Sequence, residues 1–165
     1  VVSYNDLSLY LTMQTFLPYP SFNKSMQALD YRRLGKQRVE AYQILNILLK
    51  RTDKKGHANH PMVHMWGGYE NALKQYTNTA IQHWIARGYN NNMKYEIIIG
   101  DIIMPPWIGF QPLHASHRSK LLQKDKNHYS EFNWTDNQEL PYVWFDTNES
   151  AYYEQLPKER KYLIK

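Results

Sequence analysis

The chain has 165 residues, of which 42% are apolar and 15% aromatic, and its formal net charge is +5. A chain of this length and apolar content can bury a core, which argues against wholesale disorder and makes one domain the default. The absence of cysteine excludes disulfides, thiolate metal ligands and a cysteine nucleophile.

Neither a membrane span nor a secretion signal is visible in the sequence. No stretch approaches the roughly 20 apolar residues that a span needs, and Val1 to Thr12 lacks a basic region followed by an apolar core. We therefore expect an intracellular protein, cytoplasmic or associated with nucleoid or nucleus, that contacts no membrane. Its positive charge favours an anionic partner, and its 14 Tyr, 5 Trp and 5 Phe offer faces for stacking on bases or for core packing.

Three stretches show helical periodicity. The first runs from about Ser25 to Lys50, and the second runs from Val63 to Arg87, where Gly88 supplies a stop signal. The third, from about Ala115 to Tyr129, is shorter and more basic. Together they predict a mainly α fold, a compact single-domain bundle of about three principal helices with long irregular connections.

Proline-rich and polar segments separate these helices, and residues 95–103 (YEIIIGDII) read either as a short strand or as a buried helix. No repeat or linker divides the chain. We expect residues 1–12 to be an N-terminal extension of unassigned origin, residues 13–145 to form the helical domain, and residues 146–165 to be a polar C-terminal tail.

The segment LDYRRLGKQRVE, residues 29–40, concentrates charge on the first helix. Arg33, Lys36, Gln37 and Glu40 recur at i, i+3, i+4 and i+7, so they share one side of a helix and can converge on one ligand. A solvated face with i,i+4 pairs is the alternative. Arg38 falls in the apolar stripe, so it requires a carboxylate partner, a route to water or a bound phosphate.

Two histidine-containing segments are further candidates. In HASHRSKLLQK, His114, His117 and Arg118 would share a face at a helix N-terminus, which favours either an anion or ordinary capping. Zinc could be held by the other group, His57, His60 and His64, but Pro61 interrupts it and no carboxylate lies within it to orient a ring. Capping and packing roles are favoured there, and we predict no metal site.

Several segments, in this order, resemble the pyrimidine dimer DNA glycosylase family. They are MQTFLPY, ALDYRRLGKQRVEA, NHPMVHMWGGYENALKQYTNTAIQHWIARGYN, LHASHRSKLLQKDKNHYSEFNW and PYVW, and they extend from Met13 to Trp144. The resemblance implies a small, mainly helical enzyme without metal or cofactor that bends duplex DNA, flips a nucleotide and cleaves a glycosidic bond. In that chemistry an amine near the start of the mature chain attacks the sugar C1′, a glutamate assists, and the resulting imine permits β-elimination.

Residue by residue, the resemblance is uneven. Tyr31 and Arg32 match the family's Tyr-Arg pair, whose arginine contacts phosphate, but Arg33 stands where the family has its glutamate. Glu40, two turns further along the same side, is our choice for the catalytic carboxylate, and Asp30 and Glu70 are weaker candidates. Because Met13 resembles the family's start, Val1 to Thr12 would precede the nucleophilic amine, and Lys36, beside two arginines, is the alternative amine.

The leading prediction is a base-excision enzyme, an N-glycosylase with abasic-site lyase activity on pyrimidine dimers or another modified base. It would act as a monomer on double-stranded DNA with no obligate protein partner. A non-catalytic DNA-binding protein, or an enzyme acting on RNA or nucleosides, is the alternative. The catalytic candidates are Glu40 and Lys36, and the predicted DNA contacts are Arg32, Arg33, Gln37, Arg38, His114, His117, Arg118 and Lys120.

Overall fold

A computed structural model describes residues 13–53, 58–155 and 160–164 of the chain. These residues divide into two compact units. The first unit contains Tyr31–Pro105 together with the described residues before Phe16, and the second contains Phe16–Asp30 together with the described residues from Pro106 onward. The predicted N-terminal extension, residues 1–12, lies outside the described residues.

The described residues form six α-helices and three strands. The helices are α1 (Phe22–Ala28), α2 (Tyr31–Leu48), α3 (Pro61–Trp66), α4 (Glu70–Ala86), α5 (Gln111–Lys124) and α6 (Lys126–Tyr129), with a 3-10 turn at Ser130–Phe132. The strands are β1 (Val143–Asp146), β2 (Ala151–Gln155) and β3 (Arg160–Ile164). None of the helices in the described part of the chain is long and apolar enough to cross a membrane.

The core of the first unit lies between α2 and α4. Helix α2 buries Leu34, Ala41, Ile44 and Leu45, which recur at helical spacing on one side. The facing side of α4 buries a matching set: Leu73, Tyr76, Ala80 and Ile81. This packing fixes which side of α2 is left open to a ligand.

Two of the predicted helices are each divided in two. The stretch from Ser25 to Lys50 breaks at Leu29, whose backbone is extended at φ −66° and ψ 138°, and the two parts belong to different units. The stretch from Val63 to Arg87 breaks at Gly67 and Gly68, because Gly67 caps α3 with an extended backbone at ψ 127° and Gly68 has φ +87°, in the left-handed region. Periodicity continues through both breaks, so apolar spacing alone did not reveal them.

The third predicted helix begins earlier than expected, at Gln111. Pro112 lies in the first turn of α5, where a missing N–H removes no intrahelical hydrogen bond. The helix ends at Lys124, and a separate turn of helix, α6, follows Asp125. The side chain of Asp125 accepts the N–H of His128 and caps that turn.

Residues 95–103 form neither the strand nor the buried helix that the sequence allowed. The segment runs extended along α4, and helix side chains hold its backbone: Asn71 donates to Ile99 O and Asp101 O, and Lys74 donates to Ile97 O. Four of its five isoleucines are exposed, Ile97 to 76% and Ile99 to 82%, and Ile98 is half-buried. An apolar run was therefore misread as a sign of burial.

A three-stranded antiparallel sheet in the second unit is the main feature that the sequence did not predict. Its strand order is β1-β2-β3, and Trp144 pairs with Tyr153, which pairs with Tyr162. The segment predicted as a polar tail contains β2 and β3. The mainly α prediction is confirmed in broad terms, but the fold is not a bundle of three helices alone.

Candidate active site

A pocket of about 390 Å³ lies on the open side of α2 in the first unit. Its lining comes from α2 and from one ring of α4: Tyr31, Arg32, Gly35, Lys36, Val39, Glu40, Gln43 and Trp84. Three of the predicted site residues, Arg32, Lys36 and Glu40, are therefore brought together here. The pocket thus combines an amine, a guanidinium and a carboxylate within three turns of helix.

The carboxylate of Glu40 is held by a chain of hydrogen bonds that starts in the core. Tyr76 on α4 donates its hydroxyl proton to Gln37 Oε1 at 2.6 Å. The same Gln37 amide donates from Nε2 to Glu40 Oε2 at 3.1 Å. Because Gln37 is fully buried, its amide is fixed in one orientation and in turn orients the carboxylate.

The Tyr76 hydroxyl stays protonated in this arrangement. Burial raises its pKa well above the ordinary value of 10.0, and the negative charge of Glu40 raises the pKa further. A permanent donor at Tyr76 leaves Gln37 Oε1 as its acceptor, which directs the amide N–H groups of Gln37 toward Glu40. Gln37 was predicted to contact DNA, and the structure places its side chain in the core with both ends bound to protein groups.

Arg38 satisfies its charge without a carboxylate. Its guanidinium lies 4.3 Å from the centroid of the Trp84 ring, and Nη1 donates to Asn91 Oδ1 at 2.7 Å. Burial lowers the pKa of Arg38. Of the three environments expected for this cation, the structure shows a route to water, because the Arg38 side chain is partly exposed, and it adds the contacts with a ring and an amide.

Two more predicted contacts, His114 and His117, are buried in the second unit and bind the backbone of Leu17. His117 Nδ1 accepts the Leu17 N–H at 2.9 Å, which places the proton of that ring on Nε2. His114 Nε2 accepts the Gly109 N–H at 2.9 Å, so its Nδ1 carries a proton and donates to Leu17 O at 2.8 Å. Both rings are therefore neutral and enclosed, which speaks against the predicted phosphate contacts.

The remaining predicted contacts on α5 also have protein partners. Arg118 makes two hydrogen bonds to the carboxylate of Asp136, at 2.6 and 3.0 Å, and a third to Pro18 O at 2.8 Å. The Nζ of Lys120 lies 5.1 Å from the ring centroid of Tyr142. Arg118 is thus held in an ion pair, whereas Lys120 contacts a ring, and both side chains are partly exposed.

A sequence model of the family described as pyrimidine dimer DNA glycosylase matches residues 13–97, slightly more than half of the chain. The chain belongs to this family. No curated protein and no solved structure gives a match. The matched residues include α1 to α4 and hence the α2 pocket, whereas α5 and the sheet lie beyond the match.

Three carboxylates were candidates to replace the family's glutamate, to whose position the resemblance assigns Arg33. Glu40 lines the pocket. Asp30 is buried in the second unit, where the hydroxyl of Tyr129 donates to its Oδ1 at 2.5 Å, and Glu70 accepts the N–H of Gly68. All three carboxylates accept a hydrogen bond from the protein, and Glu40 remains the strongest candidate because it lines the pocket.

The structure offers no geometry for a metal in the part of the chain that it describes. No group of three His, Cys, Asp or Glu side chains there could hold an ion. His60 caps α3 through Nδ1, which accepts the N–H of Met62 at 3.0 Å, and His64 is exposed. The capping role predicted for this segment is confirmed for His60, and His57 lies outside the described residues.

Sequence reasoning missed the part that α4 plays in the site. Tyr76 and Trp84 were assigned to one broad apolar face, although one carries the hydroxyl that orients the glutamine and the other lines the pocket. A signal for Trp84 was present in the sequence, because Gly35 lies inside a helix. A Cβ at that position would lie 3.0 Å from the Trp84 ring, so the glycine admits the ring.

Proposed function

We propose that this protein is a DNA base-excision enzyme that removes a damaged or modified base, pyrimidine dimers first among them, and then cuts the strand at the abasic site. Membership of the family supports DNA as the substrate class. A DNA substrate also supports the intracellular setting that the sequence led us to expect. The catalytic roles of individual residues are part of this proposal and do not follow from family membership.

One observation supports it above the others: a carboxylate oriented from the core faces the same pocket as an amine. Glu40 and Lys36 lie one helical turn apart and both line the α2 pocket. The hydrogen-bonded chain from Tyr76 through Gln37 supplies the orientation that a proton-transferring group needs. Arg32, at the edge of the same pocket, suits a phosphate beside the reacting sugar.

The proposed reaction has two stages, release of the base and cleavage of the strand. An unprotonated amine forms a bond to C1′ while the bond from C1′ to the base breaks, and the base leaves with the electron pair and receives a proton. Loss of the amine proton and opening of the sugar ring give an imine. The imine makes a C2′ hydrogen acidic, and its removal expels the 3′ phosphate. Glu40 moves protons and stabilises positive charge on the sugar.

Two amines compete for the nucleophile. Lys36 is exposed and lines the pocket. The family's nucleophile is an amine at the start of the mature chain, and Met13 is the residue of this chain that resembles that start. We propose Lys36 as the attacking amine, and a covalent adduct found at another residue would withdraw that assignment while leaving the reaction in place.

A second candidate function is DNA binding without catalysis. The observation that favours it is Arg33, a cation at the position of the family's glutamate. Such a protein would keep the fold and the basic groups of α2 and would bind duplex DNA with a steep dependence on salt.

The deciding experiment incubates the protein with end-labelled duplexes, one carrying a cyclobutane thymine dimer, one an abasic site and one undamaged, with and without borohydride. Dimer-specific cleavage with a trapped adduct would support the proposal, and peptide mapping of the adduct would identify the nucleophile. Cleavage of the abasic duplex alone would leave the lyase step and move the search to other modified bases. Retardation of every duplex without product would favour the non-catalytic binder.

A further inference from the structure

Three aromatic rings form a row beside the α2 pocket. Trp84 stacks on Tyr89 with ring centroids 4.3 Å apart and an interplanar angle of 29°. Tyr89 lies 6.1 Å from Tyr31 at an angle of 33°. Two of the three rings, Tyr31 and Trp84, also line the pocket. The row therefore extends from Trp84 on α4 to Tyr31 at the pocket rim.

The inner end of this row is held in place from several directions. Trp84 Nε1 donates to Asn90 O at 2.7 Å, and the Arg38 guanidinium lies 4.3 Å from the ring. Gly35 brings the backbone of α2 close to the edge of the same ring. A ring fixed in this way offers a surface on which the next ring can stack without further loss of entropy.

The outer rings are open to solvent. Tyr31 is 50% exposed and Tyr89 is 39% exposed, although each carries a large apolar ring that burial would favour. Arg32 lies at the outer end, with Nε donating to the Tyr31 hydroxyl at 3.1 Å and the guanidinium 5.7 Å from the ring. Exposed aromatic rings with a cation beside them are the features with which proteins hold unstacked bases and the adjoining phosphate.

We propose that Tyr31 and Tyr89 form a stacking platform for one unpaired nucleobase of a locally opened DNA duplex at the rim of the α2 pocket. The proposal rests on the proposed function for its choice of DNA, but it concerns binding and requires no chemistry. The platform would hold a base that has left the helix while Arg32 meets the phosphate beside it. It assigns a ligand to rings that the base-excision steps do not use.

The test measures affinity for two short duplexes of one sequence by fluorescence anisotropy. One duplex is fully paired, and in the other a single base faces a tetrahydrofuran abasic analogue, which cannot form an imine. We expect the intact protein to prefer the duplex with the unpaired base. Tyr31→Ala and Tyr89→Ala should each reduce that preference by about 5-fold to 150-fold, whereas Tyr31→Phe, which keeps the ring, should retain most of it.

A matched control is available in Tyr95→Ala, because Tyr95 is 51% exposed in the same unit and lies outside the row. Its preference should equal that of the intact protein. An equal loss in Tyr95→Ala, a full preference in both alanine variants of the row, or no preference in the intact protein would overturn the platform. Thermal melting of each variant checks folding, and exposed Tyr31 should tolerate replacement even where Tyr89 does not.

Failure of the platform and failure of the proposed function remain distinguishable. If the protein prefers the unpaired base but cleaves no damaged duplex, the platform proposal stands and the enzyme proposal fails. If the protein cleaves the dimer duplex and both alanine variants retain the preference, the enzyme proposal stands and the platform proposal fails. Glu40→Gln should lose cleavage and keep the preference.

Discussion

Gln37 shows how a residue can serve a site without touching a ligand. Its side chain is fully buried, and its two ends bind Tyr76 and Glu40. The glutamine therefore transmits the rigidity of the α2 and α4 core to a carboxylate at the surface. If Glu40 takes part in chemistry, the hydroxyl of Tyr76 contributes to its position.

Tyr76→Phe removes that hydroxyl while preserving the ring. We expect the free energy of unfolding to fall by about 1 kcal/mol, because one buried hydrogen bond is lost. We also expect kcat for base excision to fall by about 10-fold to 100-fold with little change in KM, since a less fixed carboxylate affects the reacting state more than binding. Tyr69→Phe, on the N-terminal side of the same helix, is the matched control and should change neither kinetic constant.

Because of His117, we expect the stability of the second unit to depend on pH. Burial lowers its pKa from the ordinary 6.5 to about 3, and the nearby His114 and Arg118 lower the pKa further. The unfolded chain therefore binds more protons than the folded chain between about pH 3 and pH 6.5. The contribution of neutral His117 to stability is complete above about pH 6.5 and is lost as the pH falls toward 3.

Urea unfolding between pH 7.5 and pH 5 can measure this dependence. Below pH 6, we expect His117 to contribute a slope approaching about 1.4 kcal/mol per pH unit. His117→Asn offers an oxygen to the Leu17 N–H and cannot titrate, so its slope should be smaller by nearly one proton. His64→Asn removes an exposed histidine and should leave the slope unchanged; an unchanged slope in His117→Asn would refute the assignment.

At the residue scale, periodicity put Gln37 on the charged side of α2 and Arg38 in its apolar stripe, whereas the structure buries Gln37 and leaves Arg38 partly exposed. Helical geometry alone predicts that positions 33, 36, 37 and 40 lie on one side of the helix. The partners of Gln37 and His117 are 39 and 100 residues away, and no local pattern reports them. Charge at a helix N-terminus was therefore read as a phosphate site where the folded chain uses the same rings on its own backbone.

Among the elements, the extended segment after α4 depends on side chains of that helix. Asn78 donates from Nδ2 to Glu96 O at 2.9 Å and accepts the Glu96 N–H at 2.7 Å, which imitates the pairing of one strand with another. Arg51 adds an ion pair to the Glu96 side chain at 2.9 Å. Residues spaced along α4 thus replace the neighbouring strand that this segment lacks within the described chain.

Asn78→Ala should release this segment without unfolding the helix. Loss of both hydrogen bonds should reduce the free energy of unfolding by about 1–2 kcal/mol. Amide hydrogen exchange at Glu96 should accelerate, while exchange in the α4 core should change little. Gln82→Ala, an exposed position one turn further along α4, is the control, and similar exchange at Glu96 in both variants would contradict the role of Asn78.

Element types were predictable where periodicity was long and wrong where apolar residues were not buried. Helices α2, α4 and α5 follow from their spacing of apolar residues. The breaks at Leu29 and at Gly67 and Gly68 depend on local backbone conformations, and the strands of the sheet have only four or five residues each. Short aromatic strands after a helical region carry too little pattern to be distinguished from loops.

For the whole molecule, the order of motifs was more informative than any single motif. The family match extends over residues 13–97, which include the pocket and the row of rings. The catalytic residues stay a prediction: Arg32, Lys36 and Glu40 line one pocket, whereas Gln37, His114 and His117 are internal. Charge composition pointed to an anionic partner but could not separate surface cations from cations such as Arg118 that are held in ion pairs.

If Glu40 is the catalytic carboxylate of a base-excision enzyme, its replacement should slow single-turnover cleavage of a dimer-containing duplex. Glu40→Gln should slow base release by about 100-fold or more while duplex affinity stays near that of the intact protein. Glu70→Gln, which removes another candidate carboxylate on α4, should cleave at the rate of the intact protein. Undiminished cleavage by Glu40→Gln would contradict the account, and the carboxylate would then have to be sought elsewhere in the chain.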